Sequence, residues 1–196
     1  HILHSMLAVE PDKVLRLGML FHYIGKPQTM TVDEEGITHN KKHPVVGAEM
    51  TRKILRRLKF DNDTIDKVTK LVLYHDQEIV AAPAGVRRAV NRIGEDIFPL
   101  LFAVRRADVS AQSDYLREDK LRKLSYIEGL YEEIRSQGDA VSLKNLAITG
   151  TDLIAQGRKP GREIGIVLQE LLEKVLEDPS LNTPEKLLEI SQKIVT

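Results

Sequence analysis

Four histidines and one aspartate are placed as residues that could share a metal ion. His1, His22, His43 and His75 each fall near the end of a different predicted helix, and Asp108 falls late in another. Successive members are roughly 20–30 residues apart, the length a chain needs to cross a small helical bundle and return. Five helices can then point one ligand each at a shared centre, with Phe21-His22-Tyr23-Ile24-Gly25-Lys26-Pro27 in its middle. Imidazole and carboxylate together suit Zn, Fe, Ni, Co or Mn, and carboxylate alone suits Mg. Each histidine by itself also reads as a helix cap or a surface group. His43 would close the helix that begins at Pro44, where the helix dipole keeps an imidazole neutral and able to bind metal. His4, one turn from His1, could replace it, and His39 has the weaker claim.

Composition sets the frame around this pattern. With 196 residues, 42% hydrophobic and 30% charged, the chain can bury one sizeable core. Lys and Arg (29) balance Asp and Glu (29), so nucleic-acid affinity would have to come from a local patch rather than total charge. Aromatic residues are only 5%, which argues against base-stacking sheet modules. Cysteine is absent, excluding disulfides and thiolate metal sites and fitting a reducing, cytoplasmic setting. No apolar run approaches the ~20 residues of a membrane span, and no signal peptide is seen. The first residue is His1 rather than Met, and upstream residues are expected.

Apolar periodicity predicts an all-α protein. Helices are expected up to Val9, over Lys13–Tyr23, Val45–Leu58, Thr64–His75, Pro83–Ile93, Glu95–Ala111 and Leu116–Ser136. Shorter helices are expected around Leu153, over Arg162–Leu176 and over Pro184–Ile194. Gly25 and Pro27 are expected to stop the second helix, and 29–39 reads as a small hairpin or extended insertion. A break near Gly138 separates a metal-binding helical domain, 1–138, from a helical C-terminal subdomain, 139–196.

These residues resemble a family. His22-Tyr23-Ile24-Gly25-Lys26-Pro27 is similar to the HD-superfamily motif His-Asp-Ile-Gly-Lys-Pro, and Thr38 to Ala48 is similar to the segment that follows it. Val72-Leu73-Tyr74-His75-Asp76 and Arg105-Arg106-Ala107-Asp108 resemble the later ligand segments. Ile148 to Leu153 and Lys159 to Gly165 are similar to the C-terminal region of bacterial tRNA nucleotidyltransferases and poly(A) polymerase-like proteins. The resemblance implies an HD-type bundle with His1, His22, His43, His75 and Asp108 as metal ligands. It also implies metal-dependent hydrolysis of a phosphoester or nucleotide, with Lys26 as a charge beside the phosphate. A solvated Lys26 in a turn is the alternative, and for Asp76 a helix-end charge.

Two positions depart from the pattern. The motif aspartate is Tyr23, a neutral phenol where a central carboxylate ligand belongs, and Asn40 replaces a common aromatic residue. The site is therefore expected to bind metal weakly or with fewer ligands, whether the change is natural or introduced; phenolate ligation is the minor alternative. The resemblance also implies an upstream nucleotidyltransferase head. Nothing in the 196 residues offers its phosphate loop or paired aspartates, so this chain alone is not expected to add nucleotides.

Basic clusters supply the other chemistry. Arg52, Lys53, Arg56, Arg57 and Lys59 share a helix whose alternation with Ile54, Leu55 and Leu58 reads as an ordinary solvated face. Arg87, Arg88 and Arg92 form a second cluster. Arg105 and Arg106, and Lys159 and Arg162 with Arg158, are the stronger candidates for phosphate or tRNA contact. Three readings follow: a phosphohydrolase weakened at Tyr23, a non-catalytic tRNA-holding module, or a helical domain with a relic site.

Overall fold

The computed structural model describes residues 1–194 and is built almost wholly of helices. In chain order they are α1 (Ile2–Leu7), α2 (Lys13–Phe21), α3 (Lys26–Thr29), α4 (His43–Arg57), α5 (Asn62–Tyr74), α6 (Pro83–Ile93), α7 (Phe98–Ser110), α8 (Arg117–Gln137), α9 (Gly150–Ala155), α10 (Arg162–Glu177) and α11 (Pro184–Lys193). Two short strands, β1 (Thr31–Val32) and β2 (Thr38–His39), pair antiparallel with Thr31 opposite His39, forming the expected hairpin. No helix among the described residues is long and apolar enough to cross a membrane.

The chain divides into two compact units. The first comprises His1–Ile79 and Ile93–Glu128, and the second comprises Val80–Arg92 and the residues from Gly129 onward. These bounds differ from a single cut at Gly138, because the second unit also takes the α6 segment and the division falls inside α8, after Glu128.

In the first unit, apolar residues at helical spacing fill the core. Leu15, Met19 and Phe21 of α2 are buried, as are Leu55 of α4, Ile65, Val68 and Val72 of α5, and Phe98, Leu101 and Phe102 of α7. Each such burial contributes roughly 1.5–3 kcal/mol before the cost of ordering the chain. Helix starts are set locally: Asp12 accepts from the Leu15 backbone N–H at 2.9 Å, and Asp61 accepts from that of Thr64 at 2.8 Å.

The glycines of the two motif segments have a steric reason. A Cβ on Gly25 would collide with the His43 carbonyl and lie 2.6 Å from the Gly47 nitrogen. Only hydrogen fits where the end of α2 meets the start of α4. The second helix ends at Phe21, just before the expected stop at Gly25 and Pro27, and Gly25 then caps a new short helix. Pro27 lies in the first turn of the short α3, where its missing N–H is harmless.

The second unit has its own core: Leu153 of α9, Val167, Leu171, Leu172, Val175 and Leu176 of α10, and Leu187 of α11. Arg87 of α6 is buried in it, only 6% exposed. Its guanidinium pairs with Asp139 at 3.0 Å and donates to the carbonyls of Leu176 at 2.7 Å and Glu177 at 3.0 Å. It thus satisfies the open carbonyls at the end of α10. Arg88 pairs with Glu177 at 2.6 Å. Two members of the second basic cluster are therefore engaged inside the unit.

Candidate metal centre

Helix ends deliver four of the six histidines of the first unit. His22 is the C-cap of α2, His75 is the C-cap of α5, His43 is the first residue of α4, and His1 precedes α1. Asp108 lies in the last turn of α7. Packing of α2 on α5, α4 on α5 and α7 on α1, α2 and α5 draws these ends together.

All four imidazoles are held in the same way. The Nδ1 of His22 faces the Met19 carbonyl at 2.6 Å, that of His43 faces the Asn40 carbonyl at 2.7 Å, and that of His75 faces the Val72 carbonyl at 2.7 Å. The Nδ1 of His1 lies 3.0 Å from the Ala111 carbonyl, just past α7. A carbonyl only accepts, so each Nδ1 carries a proton as donor, and each Nε2 is turned inward. This is the tether that orients metal-ligating histidines.

The inward Nε2 atoms meet. His1 Nε2 is 3.3 Å from His22 Nε2 and 2.9 Å from Asp108 Oδ1, and His22 Nε2 is 3.2 Å from the same oxygen. These three ligand atoms lie within 4.8 Å of one another. Lone pairs so close require a positive charge between them, a proton or a metal ion. The donor set, two imidazoles and a carboxylate, fits a divalent transition metal. His43 and His75 form an adjacent pair with their Nε2 atoms 3.2 Å apart. Burial pushes the His75 imidazole down to about 4, so it stays neutral.

Tyr23 occupies the middle of this assembly. Its ring centroid is 3.9 Å from that of His22, 5.0 Å from His1, 5.7 Å from His43 and 5.8 Å from His75. Its hydroxyl donates to Asp108 Oδ1 at 3.0 Å, competing for the oxygen that faces His1 and His22. Burial, then the Asp108 charge and this hydrogen bond, push the phenol above its ordinary value, which disfavours phenolate. Lys26 Nζ sits 3.1 Å from the centre of the Tyr23 ring, a cation–π contact. The lysine is half-buried, and burial lowers its pKa against the pull of Asp108 and Asp76.

Asp108 is fixed from both sides. Burial works to raise its carboxyl pKa, but the hydrogen bond and charge of His22, then the Tyr23 hydroxyl, hold it below the ordinary range. Its other oxygen, Oδ2, accepts from Gln112 Nε2 at 2.9 Å. Gln112 is absent from the residues read from sequence. Its signal was there, four residues after Asp108 and hence on the same side of the helix end.

The remaining candidates are placed as follows. His4 is exposed on α1 and outside the ligand set, and His39 sits in the hairpin with its Nε2 2.7 Å from Asp33. Asp76 is exposed just beyond His75. The Arg105 guanidinium donates to the carbonyls of Tyr74, at 3.3 Å, and Gln77. Arg106 pairs with Glu128 and donates to Ser125 Oγ at 3.2 Å. In the second unit, Lys159 and Arg162 are exposed, and Arg158 donates to the Ser191 and Ile194 carbonyls.

Comparison with known proteins places the chain in a family. Residues 45–191 match the family model described as tRNA nucleotidyltransferase domain 2, putative, and the chain belongs to that family. It is 30% identical over 178 residues to the A-adding tRNA nucleotidyltransferase of Deinococcus radiodurans, covering 87% of this chain and 40% of that protein. It is 32% identical over 164 residues to the CC-adding tRNA nucleotidyltransferase of Thermus thermophilus, covering 83% of this chain and 36% of that protein. The matches thus span well under half the length of these relatives. His75 and Asp108 fall inside the matched family segment, whereas His1, His22, Tyr23 and His43 precede it.

Proposed function

We propose that this chain is a tRNA-holding helical part of a tRNA nucleotidyltransferase-type protein that retains an HD-type divalent-cation site with phosphohydrolase chemistry reduced by Tyr23. The observation that carries the reading is the convergence of His1 Nε2, His22 Nε2 and Asp108 Oδ1 within 4.8 Å. The four Nδ1 tethers support it, because they turn every Nε2 inward, toward where an ion would be held. A divalent cation held by His1, His22 and Asp108 would supply Lewis-acid polarisation of a phosphoryl oxygen and acidification of water. His43 and His75, a neighbouring imidazole pair with His75 beside His22, extend the donor set. Lys26 supplies a positive charge beside a phosphate, held over Tyr23.

Tyr23 weakens the site in two ways on this reading. Its hydroxyl takes up a lone pair of Asp108, and its ring fills space among the four imidazoles. It also withholds the negative charge that an aspartate would add. The tRNA part rests on the family and on the two tRNA nucleotidyltransferases to which the chain is similar.

The deciding experiment compares the chain with its Tyr23→Asp variant after chelation, reloading with Mn, Ni or Zn, and dialysis. Bound metal is expected below one ion per chain before the change and at one or more after it. Hydrolysis of cyclic nucleotides and simple phosphoesters should rise in parallel. A folded Tyr23→Asp protein that neither retains metal nor hydrolyses phosphoesters would sink the proposal.

A further inference from the structure

We propose that Gln112 is the positioning residue for Asp108: its side-chain amide, pinned by Lys120, occupies Asp108 Oδ2 and leaves Oδ1 as the oxygen turned to His1 and His22. The use of that oxygen toward an ion rests on the preceding reading, whereas the amide contacts stand on their own geometry. All of these residues belong to the first unit.

The local chain explains why Gln112 is in place. α7 ends at Ser110 with Ala111 as its cap, so Gln112 is the next residue out and lies four after Asp108. Its backbone N–H donates to the Val109 carbonyl at 3.2 Å, which carries the turn past the helix end. The chain then turns at Leu116, whose φ of 54° is uncommon for a residue with a side chain. That turn leads into α8, and the start of α8 holds Gln112 twice. Arg117 donates to its backbone carbonyl, and Lys120, one turn on, donates to its Oε1 at 2.9 Å.

Chemistry fixes the direction of these bonds. A glutamine amide can present either its oxygen or its nitrogen to a neighbour, but a lysine ammonium only donates, so Lys120 selects Oε1. Nε2 is then the end that faces Asp108, and it donates to Oδ2 at 2.9 Å. Oδ1 is left to His1 Nε2 at 2.9 Å, His22 Nε2 at 3.2 Å and the Tyr23 hydroxyl at 3.0 Å. The carboxylate is thus tethered as the imidazoles are, with one atom held by the protein and the other turned inward. Lys120 is exposed and stands two hydrogen bonds from Asp108, where its charge opposes a bound cation. A lysine so placed assists metal binding only through the geometry it imposes.

That opposition gives the test its sign. Equilibrium binding of Mn to the metal-free whole chain is followed by the electron paramagnetic resonance of free Mn, in the chain and in its Tyr23→Asp form, each with Gln112→Met, Lys120→Met or Lys120→Arg. Gln112→Met keeps the shape and removes the donor, and should weaken Mn binding by about tenfold or more, as loss of a group that orients a ligand does. Lys120→Met should weaken it several-fold although a positive charge has gone, and Lys120→Arg should leave it unchanged because the donor is kept. Tighter or unchanged binding in Lys120→Met, or unchanged binding in Gln112→Met, would overturn the role. A metal-free readout accompanies it. In the 15N-labelled chain the Gln112 side-chain amide should lie away from the position of a free glutamine and move toward it in Lys120→Met, and the ring nitrogen signals of His1 and His22 should shift in Gln112→Met. An amide at the free position would overturn the role without reference to metal. If neither the chain nor its Tyr23→Asp form binds Mn while these shifts appear, Gln112 still orients Asp108 and the metal-centre reading falls. Mn binding that no Gln112 or Lys120 variant alters does the reverse.

Discussion

At the scale of single residues, protonation decides what the site can do. His75 is 4% exposed, and its imidazole is pushed down to about 4 by burial. An unfolded histidine titrates near ~6.5, so between those values the unfolded chain binds more protons than the folded one. Stability is therefore complete above pH ~6.5 and falls as pH drops toward 4, by about 3 kcal/mol at pH 4 for the full shift. Urea denaturation of the metal-free protein at pH 7 and pH 4.5 measures this loss, and a His75→Gln variant should lose that part of the pH dependence. Sequence made the histidines legible because their types and spacing are unusual. It also flagged Tyr23, the residue that interrupts the motif. It did not reveal that Tyr23 hydrogen-bonds Asp108 or carries Lys26 on its ring, because both contacts depend on the final fold; the Asp108 partner is 85 residues away.

At the scale of helices, local signals were read well and long-range roles were not. The span Pro83–Ile93 is recovered as α6 with the same bounds, since proline start and apolar period are both local. The function of Arg87 on that helix was hidden. Its partners Asp139, Leu176 and Glu177 lie 52, 89 and 90 residues away, so in sequence it looked like one of three surface arginines. Removing it strands the Asp139 carboxylate and two carbonyls at the end of α10. Arg87→Ala is therefore expected to destabilise the protein by roughly 3–5 kcal/mol, measured by chemical denaturation, with Arg87→Lys recovering only part because a lysine cannot span three acceptors in one plane. A drop below ~1 kcal/mol would mean that water replaces the guanidinium at little cost.

At the scale of the whole molecule, charge balance constrains the proposed partner. Equal numbers of acidic and basic residues, 29 each, leave no general attraction for a polyanion, so tRNA binding must use few local contacts. Many of the basic residues are already paired, as Arg52 is with Asp66, Lys53 with Glu49 and Arg106 with Glu128. Lys159 and Arg162 are exposed beside a glycine-rich turn. On the proposed reading, filter binding of tRNA weakens as salt rises, and the double variant Lys159→Glu with Arg162→Glu binds less tightly with a shallower salt slope. Each lost contact should remove about 0.7–0.9 from that slope. An unchanged slope would move the RNA contact elsewhere on the chain. The sequence gives no hint that the α6 segment joins the second unit, because its partners follow some fifty or more residues later.

The carbonyl tethers on the histidines have a consequence for how such a site comes into being. Three of the four run to the residue three places earlier, from His22 to Met19, His43 to Asn40 and His75 to Val72. Each is complete within a single turn of backbone, so the choice of tautomer needs neither metal nor the other histidines. Those rings are therefore directed by local backbone, and packing of the helices brings rings together whose orientation is already set within one turn. The fourth, His1, borrows its carbonyl from Ala111, 110 residues away. Its orientation depends on the end of α7, which makes His1 the one of the four whose tether is long-range.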